Sequence, residues 1–222
     1  MCGRFTIMLE ADDLREALEL GSVPEDWYPR FNLAPSQRAG VVVDPGSRNL
    51  GWMKWGLVPS WAKDAEIGNR MINARAETLS EKPSFRQAFA RRRCLIPADG
   101  FYEWQHPAGS KGRGRPFHIH LNSSQPFFLA GLWERWQPQE GDPLLSFTII
   151  TTQANELVAS IHERMPVILT GQEAWNWLRP QPVGDLARFL RPYPSSEMAM
   201  APVTFAVNNP ANESPACIEP EA

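Results

Sequence analysis

The sequence predicts an α+β fold in which a mainly antiparallel β-sheet closes into a barrel-like core with short flanking helices. Strand-like segments outnumber helical ones and do not alternate as regular βαβ units. No internal repeat or convincing linker breaks the chain. The 222 residues are 43% hydrophobic, enough for one well-buried core. A single domain over residues 1–210 is expected, with 211–222 as a disordered tail.

Taken in order, Glu10 to Leu20 reads as a short surface helix, with Leu14, Ala17 and Leu18 on one face and Gly21 as its stop. Val41 to Val43, the turn Asp44-Pro45-Gly46-Ser47 and the returning segment Leu50 to Val58 make a hairpin. Pro83 to Arg92 predicts a helix, and the basic Arg91-Arg92-Arg93 cluster complements its C-terminus. Cys94 to Pro97, Phe101 to Gln105, Pro116 to Leu121, Phe127 to Trp133 and Phe147 to Thr152 are rich in strand-forming residues. Gly109 to Arg115 is a hairpin loop, and Gln137 to Pro143 is a surface connection. Asn155 to His162 and Gly171 to Leu178 read as short helices around a Val167-Ile168-Leu169 strand, and Val203 to Val207 as a late strand.

Composition excludes some classes. No stretch approaches a membrane span, and the opening residues are not a secretory leader, so a soluble, cytoplasmic protein is expected. Three widely spaced cysteines, without CxxC spacing, indicate neither a disulfide framework nor a zinc site. A net charge of −3 argues against a globally basic nucleic-acid surface but leaves room for a local cationic groove. Arginines outnumber lysines, which either equips individual sites for phosphate or reflects codon usage.

The chemistry begins at Cys2. Loss of Met1 makes it an N-terminal 1,2-aminothiol whose amine and thiol are both partly deprotonated near neutral pH. Such a pair condenses with an aldehyde to a thiazolidine, a more durable adduct than a lysine imine. The competing reading is a chance cysteine at a frayed terminus. Glu103 interrupts the aromatic run Phe101-Tyr102-Glu103-Trp104 and is either a desolvated proton carrier or an outward-facing strand residue. His162, in Ile161-His162-Glu163-Arg164-Met165-Pro166, has the chemistry of a proton carrier or of a satisfied surface histidine, and Arg164 beside it suits an anion. Asn73 suits either positioning of a nucleophile or an Asx turn, with Arg75 on the same face if this segment is a strand. His118 and His120 share a strand face but lack a third ligand, so no metal is expected. Trp52, Trp55 and Trp61 are candidates for base stacking or for burial.

Met1-Cys2-Gly3-Arg4-Phe5, Arg30-Phe31-Asn32-Leu33-Ala34-Pro35, Trp55-Gly56-Leu57-Val58-Pro59-Ser60-Trp61, Ile72-Asn73-Ala74-Arg75-Ala76-Glu77, the run from Cys94 to Trp104 and Ile161 to Pro166 together resemble the SOS response-associated peptidase (SRAP) family. Ala206-Val207-Asn208-Asn209 looks like its closing segment. The resemblance implies an α+β, barrel-like protein that crosslinks to abasic sites in single-stranded DNA. It implies Cys2 as nucleophile, Asn73 as its orienter, and Glu103 and His162 as proton carriers. Arg4, Asn32, Trp61, Arg75, Thr151 and Arg164 match positions that line the family's DNA groove. The implied protein is a monomer without cofactor or metal, cytoplasmic and, in a bacterium, nucleoid-associated. Peptidase activity would amount to removal of Met1, by the protein itself or by a host aminopeptidase. Ala62 stands where some relatives carry a second tryptophan. A cysteine peptidase acting on other proteins and a noncovalent single-strand binding module are the competing functions.

Overall fold

The computed structural model describes residues 2–106 and 114–221. The strands are β1 (Phe5–Ile7), β2 (Arg30–Leu33), β3 (Arg38–Val42), β4 (Leu50–Trp55), β5 (Asn73–Arg75), β6 (Arg93–Ala98), β7 (Gly100–Gln105), β8 (Arg115–Leu121), β9 (Phe127–Trp136), β10 (Leu144–Gln153), β11 (Arg164–Pro166), β12 (Ile168–Leu169) and β13 (Met198–Pro202). The helices are α1 (Ala11–Ala17), α2 (Arg86–Arg91), α3 (Glu156–Ala159) and α4 (Gly171–Leu178).

Five strands close on themselves. β4 pairs with β3, β3 with β6, β6 with β9 and β9 with β10, all antiparallel. A parallel pairing of β10 with β4 completes the ring. β5 and β11 extend from β10, and β12 from β9. A second sheet runs in the order β13-β8-β7-β1-β2. The chain is thus α+β with a mainly antiparallel, barrel-like core.

Strand periodicity explains why the barrel strands look almost continuously apolar. Val41, Ile96, Leu129 and Ile149 point into one core, which also holds Phe5, Trp55 and Phe147. Their neighbours Val42, Leu95, Ala130 and Ile150 point into another, covered by Leu14 of α1, Phe89 of α2 and Trp177 of α4. Both faces of these strands are buried, so the hydrophobic alternation of a half-exposed sheet is lost.

Arg93 fulfils the capping expectation from within the barrel. Its guanidinium donates to the carbonyls of Phe89 and Ala90 at the end of α2, and to those of Trp177 and Arg179 at the end of α4. One side chain therefore satisfies orphan carbonyls of two helices.

Three sequence expectations change. The helix expected from Glu10 to Leu20 is limited to Ala11–Ala17. The late strand is β13, earlier than expected, and Phe205–Asn208 is a 3₁₀ turn. Pro202, which has no N–H to donate, lies opposite Phe117 at a position where the ladder needs none, and the N–H of Val203 beyond it donates to the Pro116 carbonyl at 3.0 Å. The tail is not disordered over 211–221. Its Glu213 takes Arg30 at 2.6 Å and also accepts from the backbone of Phe31 and Asn32, while Cys217 is buried. Composition predicted disorder because it registers few apolar residues and cannot register a partner on a distant strand. The Gly109 to Arg115 loop joins β7 to β8 and, up to residue 113, lies outside the described residues.

Candidate functional site

Cys2 precedes β1, which is held between β2 and β7. That pairing carries Cys2 into the barrel-side core, where it is 0% exposed. Its carbonyl accepts from Asn73 Nδ2 at 2.8 Å. Asn73 opens β5, which lies parallel to β10 with Asn73 opposite Ile149. Trp55, fully buried, fixes the residue before it by donating from Nε1 to the carbonyl of Ile72 at 2.8 Å. Among the described residues Asn73 Oδ1 is buried without a partner. An acceptor therefore remains available beside Cys2. Burial pushes the Cys2 thiol well above the ordinary thiol range, and the negative charge of Glu103 adds to the rise.

Glu103 faces inward, 3% exposed, on β7. Its strand neighbour Tyr102 points the other way, into a separate cluster with Val203, Val207 and Cys217. The aromatic run is thus two-sided, and its single carboxylate lies on the Cys2 side. Burial raises the Glu103 carboxyl above the ordinary range, opposed by nearby positive charge that includes His162.

His162 lies in the turn after α3, half-buried, with its backbone N–H donating to Val158 at 2.9 Å. The backbone N–H of Arg164 donates to His162 Nδ1 at 3.0 Å, and the carbonyl of Arg164 is 3.1 Å from the same atom. Nδ1 thus has one backbone donor and one backbone acceptor in reach, the first serving the Nε2-protonated ring and the second the Nδ1-protonated ring. Cys2, Asn73, Glu103 and His162 are thereby linked, Cys2 to Asn73 by a hydrogen bond and Cys2 to Glu103 and Glu103 to His162 by charge.

The six groove residues implied by resemblance divide by exposure. Trp61 is 59% exposed, Arg75 is exposed and Arg4 is half-buried. Asn32 and Thr151 are fully buried and Arg164 nearly so, and all three take part in interior hydrogen bonds. Asn32 donates to the carbonyls of Val207, Asn209 and Asn212 and accepts from Arg4 at 2.7 Å. Arg164 forms a two-point pair with Glu77, at 2.7 and 2.9 Å, and donates to the Thr151 carbonyl at 2.7 Å. Trp61 lines a cavity of about 560 Å³ with Lys63, Asp64, Ile67 and Arg70, separate from the residues around Cys2. Trp52 stacks on Trp27, with ring centroids 5.5 Å apart, and carries Arg38 on its ring. Glu77 and Glu213 were not singled out by sequence. Glu77 lay inside a quoted motif, two residues after Arg75, whereas nothing local to Glu213 points to β2.

His118 and His120 do share a face, their rings 5.6 Å apart. His118 Nε2 is 3.1 Å from the Thr6 hydroxyl, which donates to Asp99. Gly100 is required here, because a Cβ on it would lie 2.1 Å from His118 Nε2. No group of three or more His, Cys, Asp or Glu among the described residues is placed to hold a metal ion. No described helix is long and apolar enough to cross a membrane.

The family model described as SOS response associated peptidase (SRAP) matches residues 1–210. The chain is 49% identical over 224 residues to abasic site processing protein YoqW of Bacillus subtilis (strain 168), covering 99% of each chain. It is 30% identical to abasic site processing protein HMCES of Rattus norvegicus, covering 99% of this chain and 76% of that one. A crystal structure of a protein from Bacteroides thetaiotaomicron superposes with a TM-score of 0.85 at 26% identity, covering all of both chains.

Proposed function

The chain belongs to the SOS response associated peptidase family, and we propose that it processes abasic sites by crosslinking Cys2 to the aldehyde of the abasic sugar in single-stranded DNA. The observation that carries this reading is the company of Cys2: a carboxyl raised by burial on one side and the Asn73 amide on its carbonyl. Loss of Met1 turns the Cys2 amide nitrogen into an amine. The abasic sugar is mostly a closed hemiacetal, and a proton delivered to its ring oxygen while one is withdrawn from the anomeric hydroxyl opens it to the aldehyde. Glu103, which holds its proton more tightly than an exposed carboxyl, suits that transfer, with His162 restoring its protonation state.

The Cys2 amine adds to the aldehyde carbon, and loss of water gives an iminium. The thiol then forms a C–S bond to the same carbon as its proton passes to a base, and the C=N electron pair returns to nitrogen. Aldehyde and aminothiol thus become thiazolidine and water, with no change in oxidation state. Because the iminium is consumed, it no longer drives β-elimination, and the strand stays intact. Arg4, Arg75 and Trp61 would hold the strand by charge and stacking, independent of sequence.

A peptidase acting on other proteins fits less well. Its cysteine needs a cation beside it to hold a thiolate, whereas the side chain whose charge acts on the Cys2 thiol is the carboxyl of Glu103; ring closure onto an iminium starts from the thiol and does not need a standing thiolate.

The test is incubation of purified protein with a single-stranded oligonucleotide bearing one abasic site, beside intact-strand and Cys2→Ala controls, on a denaturing gel. A shifted band seen only with wild type and lesion supports the reading. Its absence, in protein whose Met1 is shown by mass to be gone, rejects it.

A further inference from the structure

We infer that Glu77 is a positioning residue, which acts through Arg164 to hold His162 against the Cys2 site; the inference rests on the crosslinking role proposed above for that site. Glu77 follows β5, two residues beyond Arg75, in the 3₁₀ turn Ala76–Thr78. Arg164 opens β11 on the other side of β10, paired with Gln153. The strand bearing Asn73 and the segment bearing His162 thus flank the same strand, and neither is bonded to the other along a sheet edge.

The Glu77–Arg164 pair crosses that gap. Both guanidinium terminal nitrogens meet both carboxylate oxygens, at 2.7 and 2.9 Å, and Nη2 also donates to the Thr151 carbonyl at 2.7 Å. Such a fork-to-fork contact fixes orientation as well as distance. The backbone N–H of the same Arg164 donates to His162 Nδ1 at 3.0 Å. The Arg164 carbonyl lies 3.1 Å from the same Nδ1, so anchoring the Arg164 side chain anchors both backbone groups that face it.

Burial distinguishes this from a surface ion pair. The Arg164 side chain is 10% exposed and that of Glu77 46%. Arginine withdrawn from water in this way needs its carboxylate. Arg164 in turn holds the Glu77 carboxyl below the ordinary carboxylate range.

The test compares wild type, Glu77→Gln and Glu77→Asp in two ways: long-range proton–nitrogen NMR of ¹⁵N-labelled protein to read the His162 tautomer, and single-turnover crosslinking at saturating abasic oligonucleotide. The expected result is one dominant tautomer in wild type and a mixture in Glu77→Gln. Crosslinking by Glu77→Gln should slow about tenfold, affinity for an intact single strand should hold within twofold, and Glu77→Asp should recover part of the rate. An unchanged tautomer with an unchanged rate overturns the inference. So does a change in strand affinity of fivefold or more with an unchanged saturated rate, which would make Arg164 a phosphate ligand. The tautomer is read without DNA, so a wild type that forms no crosslink rejects the proposed reaction while leaving the Glu77–His162 linkage measured.

Discussion

Asn73 Nδ2 donates to the Cys2 carbonyl across 2.8 Å, so the second residue of the chain is held by one 71 positions later. A residue so near a terminus is otherwise free to fray. Asn73→Ala should leave Cys2 chemically intact but poorly placed. Misplacement by about 1 Å can cost roughly a hundredfold; the single-turnover crosslinking rate should fall between about tenfold and a hundredfold, with affinity for an intact strand unchanged.

Glu103 should lower stability while enabling chemistry. Its folded-state carboxyl is raised from an ordinary value near 4.5, so between these two values the native state holds more protons than the unfolded one. Stability therefore falls as pH rises through that window and stays low above it. Glu103→Gln carries no such charge. It should unfold at higher urea than wild type at pH 8, show a smaller advantage at pH 4, and give no crosslink at either pH. A variant less stable than wild type at pH 8 would contradict this account.

His118 gives the opposite slope. Burial lowers it from 6.5 to about 4, so the unfolded state binds more protons between those values. Its contribution is fully present above 6.5 and lost as pH falls to about 4, by about 3 kcal/mol. Asp99, raised by burial, pulls the other way as it ionises, and His120 also faces the ring. The wild-type-minus-His118→Gln difference in unfolding free energy removes the Asp99 contribution; it should shrink between pH 7 and pH 5.

The tail should prove part of the folded body. Arg30 is 7% exposed at its side chain and takes its charge partner from Glu213. Glu213→Ala leaves that guanidinium buried without a counter-charge, with only Gln37 and the Arg38 carbonyl to accept from it, at a cost of about 2–4 kcal/mol. Chemical denaturation should show the loss, and a chain ending at residue 210 should lose at least as much. Equal midpoints for wild type and the shortened chain would return the tail to the role its composition suggested.

What the sequence revealed was local. The hairpin around Asp44 to Ser47, the strands β6 to β10 and the helix α4 follow from turn residues, β-branched and aromatic runs and helical spacing. β1, β11 and β5 were harder, because three residues carry little periodic signal. Ring closure by β4 and β10 joins segments roughly ninety residues apart, and no window of sequence contains that pairing. At the site, residue types marked Cys2, Glu103 and His162 as reactive, and the resemblance supplied their association. Burial was the missing quantity: the sequence gives no sign that Asn32, Thr151 and Arg164 lie inside the protein, because the residues that cover them are distant in the chain.

The clasp of Asn32 on the carbonyls of Val207, Asn209 and Asn212 ties β2 to a turn that follows it by 175 to 180 positions. Arg4 is fastened to the same clasp, donating to Asn32 Oδ1 and to the Val207 carbonyl at 2.7 Å each. A disturbance of that distant turn is therefore felt two residues from Cys2, through three side-chain bonds and without any rearrangement of the barrel.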